Sequence, residues 1–160
     1  MTSLHTVRRI TGVVSTDDLI PARYKHMYTA PQDLAPHLLE SYAPQVAAAL
    51  RPGDVLVSDS LFGIGSSREQ AVTALRAVGV AMVFAPSFGR ILFRNCWNLA
   101  LPAIELDTSR FIDGSRIAID LAGGTVRLGN LQLEFSRPPG FLLDLVQSGG
   151  LLNGLRRPAA

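Results

Sequence analysis

The segment FGIGSSREQA, residues 62 to 71, sets two glycines, two serines and an Arg-Glu pair between an apolar run and a helical pattern. Small residues ahead of a helix let the backbone come close to a ligand, and the first helical turn offers unpaired N–H groups at the positive end of the macrodipole. Gly63 and Gly65 therefore suit a bound carboxylate or phosphate. A structural reading fits the same residues. Ser66 or Ser67 can cap the helix, and Ser66 with Glu69 has the Ser-x-x-Glu spacing of a capping box. Common fingerprints do not match: there is no lysine for a P-loop, arginine stands at 68 where a dinucleotide-binding loop wants its third glycine, and Gly-x-Ser-x-Gly is absent.

Around this segment the pattern predicts one α/β domain over residues 1–150 and a fraying tail over 151–160, with no internal repeat. Thr6 to Val14 reads as a strand, and STDDLIPARYKHMYTAPQDL as a long polar loop. From Asp33 onward Ala35, Leu38, Leu39, Tyr42 and Val46 follow helical spacing, with Pro36 in the first turn and Pro44 dividing the run into two short helices. Val55 to Val57 is a buried strand after the turn Arg51-Pro52-Gly53-Asp54. A helix is expected from about Ser66 to Val78, then a strand from Val80 to Ala85. A second helix, about Ser87 to Leu99, should bury Phe88, Ile91, Leu92, Cys96 and Leu99, while Arg90, Arg94 and Asn98 line another face, toward solvent or a partner. Strands and glycine turns follow to Phe135, and a short helix after Pro138-Pro139.

With 160 residues, 48% hydrophobic and 18% charged, the chain can bury one proper core. A formal charge of +2 and a pI near 9.1, with cations scattered rather than blocked, do not call for nucleic acid. The single cysteine, Cys96, excludes an internal disulfide and cannot supply the thiolates of an iron–sulfur cluster or a structural zinc site. No signal-peptide core and no apolar stretch of about 20 residues is present, so a cytoplasmic setting without membrane contact is expected.

Three motifs in order, TDDLIPARY (16–24), FGIGSSREQA (62–71) and APSFGRILFRNCWNLALP (85–102), resemble the small subunit of the aconitase superfamily, in particular its isopropylmalate isomerase type. The resemblance implies a swivelling β/β/α domain with a mixed sheet, closing over a cluster-bearing large subunit in a heterodimer or heterotetramer. It implies dehydration of a small hydroxy acid and rehydration in the other orientation through an alkene diacid. The expected substrate is isopropylmalate, in leucine biosynthesis, with another substituted malate, of the homoaconitate or dimethylmalate type, as the alternative. The 4Fe–4S cluster and its cysteines are expected on the large subunit, and no metal on this chain. A non-catalytic anion- or RNA-binding module is the competing class, supported by the basic pI alone and by no aromatic-rich basic stretch.

Carried onto this sequence, the resemblance puts the catalytic base on Ser66 and substrate carboxylate contacts on Ser67 and Arg68, with Gly63 and Gly65 in support. A serine is a poor base at its ordinary pKa, so helix-start N–H groups, Arg68 or both must stabilise its alkoxide. Asp17 is a loop turn-former or an orienter of Arg68 or Ser66, and Asp18 is structural. Arg23, Lys25 and His26 occupy the segment where relatives select their substrate; Lys25 and His26 depart from both the aliphatic and the arginine patterns used there. Cys96 is expected in the core.

Overall fold

The computed structural model describes residues 2–66 and 68–156. In chain order its strands are β1 (Ser3–Ile10), β2 (Val14–Ser15), β3 (Val55–Ser58), β4 (Leu61–Ile64), β5 (Met82–Ala85), β6 (Ser87–Phe88), β7 (Ala103–Glu105), β8 (Arg116–Asp120), β9 (Thr125–Leu128) and β10 (Leu131–Glu134). Its helices are α1 (Thr16–Leu19), α2 (Pro31–Leu34), α3 (Pro44–Ala49), α4 (Glu69–Ala77), α5 (Arg90–Asn98), α6 (Gly140–Ser148) and α7 (Leu151–Arg156), with single tight turns at Ala22–Tyr24 and Ala35–His37.

The runs VLVS and MVFA are buried along their whole length, the signature of strands covered on both faces. As β3 and β5 they sit within a seven-stranded sheet ordered β10-β9-β8-β1-β3-β5-β7. Strands β1, β3, β5 and β7 run parallel, and β8, β9 and β10 extend the β1 edge in antiparallel fashion. The expected mixed α/β sheet is thus present. A second, wholly parallel sheet, β2-β4-β6, was not foreseen. It follows from chain continuity: β1, β3 and β5 pass through residues 11–13, 59–60 and 86 into β2, β4 and β6. The small sheet therefore lies beyond the carboxyl ends of the parallel strands, where α/β folds place their sites.

Several expected boundaries move for local reasons. The first strand divides at Gly12, whose φ of +82° turns the chain and whose N–H donates to Asp59 at 2.9 Å. The long loop after it is a string of short helical turns rather than irregular chain. Leu38 and Leu39 are buried as expected but not in a helix: Leu39 takes φ +58° and donates its N–H to the Leu19 carbonyl at 2.9 Å. Helix α5 begins at Arg90, and its buried side chains are Leu92, Cys96 and Trp97. Ile91, about 100° round the helix from Leu92, is instead exposed with Arg90, Arg94 and Asn98.

Helix α5 ends in a Schellman turn. Leu101 N–H reaches the Cys96 carbonyl at 2.8 Å and Ala100 N–H the Trp97 carbonyl at 3.1 Å. Ala100 holds the left-handed position, φ +61°, where glycine is preferred. Ala100→Gly should therefore stabilise the fold by about 0.5 kcal/mol, relief of the left-handed strain outweighing the added unfolded-state entropy. Thermal denaturation of the purified chain should show the midpoint rise; a fall would mean that the Ala100 methyl group packs better than its exposure suggests.

Candidate active site

Each strand of the small sheet ends in one of the three sequence motifs, so the sheet's carboxyl edge brings them together. Strand β4 pairs on one side with β2, Ser15 opposite Ile64, and on the other with β6, Phe62 opposite Phe88. The glycines are what let these connectors meet. Gly63, at φ +88°, is buried, and a Cβ there would overlap the Leu92 side chain. A Cβ on Gly89 would strike the Gly63 carbonyl, and Gly89 N–H donates to the Phe62 carbonyl at 3.0 Å. Gly65 takes φ +112°, with Thr16 Oγ1 3.0 Å from where its Cβ would lie.

After β2, Ser15 and Asp18 form a reciprocal capping box on α1, with bonds of 3.0 and 2.8 Å. Asp18 is structural, as read from the sequence. Asp17 is left outward, its side chain 61% exposed, and accepts a hydrogen bond from Arg68 Nη1. The Arg68 side chain is 8% exposed, and the same nitrogen donates to the Ile20 carbonyl at 3.2 Å. Its Nε is buried and has no partner among the described residues. Thr16 Oγ1 donates to the Ser66 carbonyl at 3.1 Å, joining the β2 connector to the serine loop.

The capping box expected at Ser66 and Glu69 is not formed. Strand pairing holds the chain extended through Ile64, Gly65 then turns it, and Arg68 is still extended at φ −137° and ψ 99°, so α4 starts only at Glu69. Arg68 is the N-cap residue and makes no side-chain cap. Two consequences matter chemically. Ser66 is exposed, and its hydroxyl is spent on no hydrogen bond with another described residue; among the described residues, the leading N–H groups of α4 have no side-chain cap from the N-cap position. Ser67 lies outside the described residues.

The segment expected to select the substrate follows Ile20, whose carbonyl accepts from Arg68. Lys25 and His26 are exposed, and their side chains make no hydrogen bond or ion pair with another described residue. Arg23 does: its Nη2 donates to Glu40 Oε1 at 2.6 Å and to the Tyr24 hydroxyl at 3.2 Å. His37 donates from Nδ1 to the other Glu40 oxygen at 2.8 Å, and its ring stacks on Tyr24 at 3.9 Å. The His37 hydrogen bond first, then smaller contributions from Tyr24 and Arg23, outweigh desolvation and hold Glu40 below the ordinary carboxylate range. The depressed value means that the Glu40 contacts persist as pH falls through that range and are lost only below it. Neither His37 nor Glu40 was singled out by motif; their i, i+3 spacing, close behind Arg23-Tyr24, was the signal available.

No group of histidine, cysteine or carboxylate side chains among the described residues is arranged to hold a metal ion. Cys96 is wholly buried on α5, and burial pushes its thiol up to about 12. A hollow of about 540 Å³ lies between β1 and α3, but its walls are Arg8, Tyr42, Val46 and Asp113 among others, none of them in the three sequence motifs. Among the described residues no helix is long and apolar enough to cross a membrane.

Comparison with known proteins gives a consistent result. The aconitase C-terminal domain family matches residues 22–109. The 3-isopropylmalate dehydratase small subunit of Sulfurimonas denitrificans is 41% identical over 143 residues, covering 88% of this chain and 85% of that one. The protein of the same name from Saccharolobus islandicus is 40% identical over 146 residues, covering 90% and 88%. A crystal structure of 3-isopropylmalate dehydratase from Methanocaldococcus jannaschii superposes with a TM-score of 0.89 at 34% identity, over 98% of this chain and 94% of that one.

The sequestered thiol gives a direct test. Because the thiolate is the reactive form, native Cys96 should alkylate at pH 8 at least about a thousandfold more slowly than an exposed cysteine, and fully once the chain is denatured. Mass spectrometry after iodoacetamide treatment reads both states; rapid native labelling would contradict the burial.

Proposed function

The chain belongs to the aconitase C-terminal domain family, with the 3-isopropylmalate dehydratase small subunits, and from that premise we propose that it supplies the proton-transferring half of a two-subunit active site. It is the small subunit of a hydro-lyase that interconverts 2- and 3-isopropylmalate by dehydration and rehydration, a step of leucine biosynthesis in the cytoplasm. Residues 1–150 are the swivelling body that closes on the large subunit, in a heterodimer or heterotetramer. One observation carries the assignment of roles: Asp17, Ser66 and Arg68 come from two connectors that meet at one sheet edge, tied by the Asp17–Arg68 pair and by the Thr16 bond to the Ser66 backbone.

In this reading Arg68 binds a substrate carboxylate. Arginine suits that task because its fork meets both oxygens, and the Nε left without a partner is a donor in want of an acceptor. Asp17 orients the guanidinium from the opposite side. Ser67 adjoins as a second carboxylate contact. Ser66 Oγ, as the alkoxide, takes the proton from the substrate carbon next to the one bearing the hydroxyl; the C–H electron pair becomes the alkene bond as the C–O bond breaks and the hydroxyl leaves with that bond's electron pair as hydroxide, which adds back to the other carbon on rehydration. Returning the proton during rehydration restores the alkoxide. The uncapped N–H groups at the start of α4 and the Arg68 charge lower the cost of that anion. Lys25 and His26 approach the substrate's variable substituent.

The residues of this chain do not fit the 4Fe–4S cluster of the aconitase superfamily: its one cysteine is buried in the core with a raised pKa. We assign the cluster to the large subunit.

Assembled anaerobically with its large subunit, the chain should turn over isopropylmalate, read as alkene absorbance, while the chain alone should be colourless and inactive. Ser66→Ala should lower kcat by about 10²- to 10⁴-fold with KM changed little. Intact turnover in Ser66→Ala would move the base elsewhere. A panel of malates carrying an extra carboxylate tests the substituent side; preference for those over isopropylmalate would mean that Lys25 and His26 select a charged group.

A further inference from the structure

The segment from Ala22 to Tyr28 has no strand or long helix to hold it. Its backbone bonds are local: Tyr24 and Lys25 donate to the Pro21 and Ala22 carbonyls at 3.1 Å, and Met27 and Tyr28 both donate to the Tyr24 carbonyl at 3.2 Å. Side chains from the next turn do the anchoring. His37 lies against both tyrosines, 3.9 Å from the Tyr24 ring centre and 5.5 Å from that of Tyr28, with interplanar angles of 21° and 9°. The Glu40 carboxylate then bridges, one oxygen accepting from His37 and the other from Arg23. Arg23 closes the ring by placing its guanidinium 4.7 Å from the Tyr24 ring centre and donating to that tyrosine's hydroxyl.

We propose that Glu40 is a positioning residue for this segment: acting through Arg23 and His37, it fixes the orientation in which Tyr24, Lys25 and His26 meet the substrate's substituent. The inference rests on the functional reading above and revises one part of the sequence expectation. Arg23 becomes a strut, its charge matched by Glu40 rather than offered to a substrate carboxylate. An exposed ion pair alone contributes little to stability, and the Arg23 side chain is 61% exposed. Here the carboxylate is shared by two donors, and both donors also contact the Tyr24 ring. The pair's effect is therefore on where the segment sits, and removing it releases turns that have only local hydrogen bonds. A segment so released still samples the productive orientation, but for less of the time, which weakens substrate binding without slowing the chemical step.

The test uses the enzyme assembled with its large subunit, comparing wild type, Glu40→Gln, Arg23→Ala and the double variant. Amide hydrogen exchange is read without substrate, and steady-state kinetics with isopropylmalate. Each single variant should speed exchange at Met27 and Tyr28 by about tenfold and raise KM by about tenfold, with kcat within about twofold. The double variant should be no worse than either single one, because both remove the same bridge. Unchanged exchange in Glu40→Gln, or additive effects in the double variant, would overturn the proposal. So would a raised KM in Arg23→Ala with exchange unchanged, which would make Arg23 a substrate contact. Should wild type turn over no malate, the functional reading fails by itself, and exchange in Glu40→Gln alone then decides the clamp.

Discussion

A guanidinium that the fold keeps 8% exposed must be given acceptors, and Arg68 takes them from across the small sheet. Desolvating a charge without a partner costs several kcal/mol, so the chain has to deliver the Asp17 carboxylate and the Ile20 carbonyl to one point. Both come from the connector after β2, while Arg68 follows β4. The two connectors reach each other only because β2 and β4 are adjacent, and those strands are adjacent because β1 and β3, which feed them, pair in the large sheet. The parallel core thus sets the site's geometry through strand continuity. What it leaves unsatisfied at this point is the buried Arg68 Nε, which has no partner among the described residues.

The glycines of the loop answer to the same geometry. Gly63 is confined by Leu92, and Gly89 by the Gly63 carbonyl, so the backbones of the second and third motifs touch with no room for a side chain. That contact explains why a glycine pattern can look like a phosphate loop without being one. Strand pairing ends at Ile64, Gly65 turns the chain and Arg68 is still extended, so Ser66 is an exposed loop residue rather than a cap. A serine engaged in a capping box would have its oxygen committed to a backbone N–H. Delaying the helix by three residues leaves that oxygen uncommitted.

How much of this could be read in advance depended on the range of the interaction. The strands β3 and β5 and the helices α4 and α5 were legible because burial over four to nine residues leaves its period in the chain. The small sheet was not, since β2 and β6 are two residues long and their pairing is a consequence of what precedes them. Ile91 was misplaced because an apolar residue at a helix's first turn satisfies the pattern whichever way the turn enters the core. The link between Asp17 and Arg68 spans 51 positions, and only the three motifs taken together suggested it. His37 and Glu40 carried no signal beyond their i, i+3 spacing, and their part emerged only when the fold laid their side chains against Tyr24 and Arg23.

The division between core and rim has a chemical meaning in the proposed reading. The hydrophobic core is buried across both sheets and their helices, whereas Ser66, Asp17, Lys25 and His26 are exposed. In water an alkoxide gains little from a helix start or a nearby arginine, because solvent screens both. The same groups become strong only when water is excluded, and the residues on this rim are too polar and too open to exclude it themselves. A covering surface must therefore come from another polypeptide, which is what membership among small subunits supplies. Selection of substrate and activation of the base then depend on one event, closure, and the chain's own part is to keep Arg68, Ser66 and the clamped segment in register until it occurs.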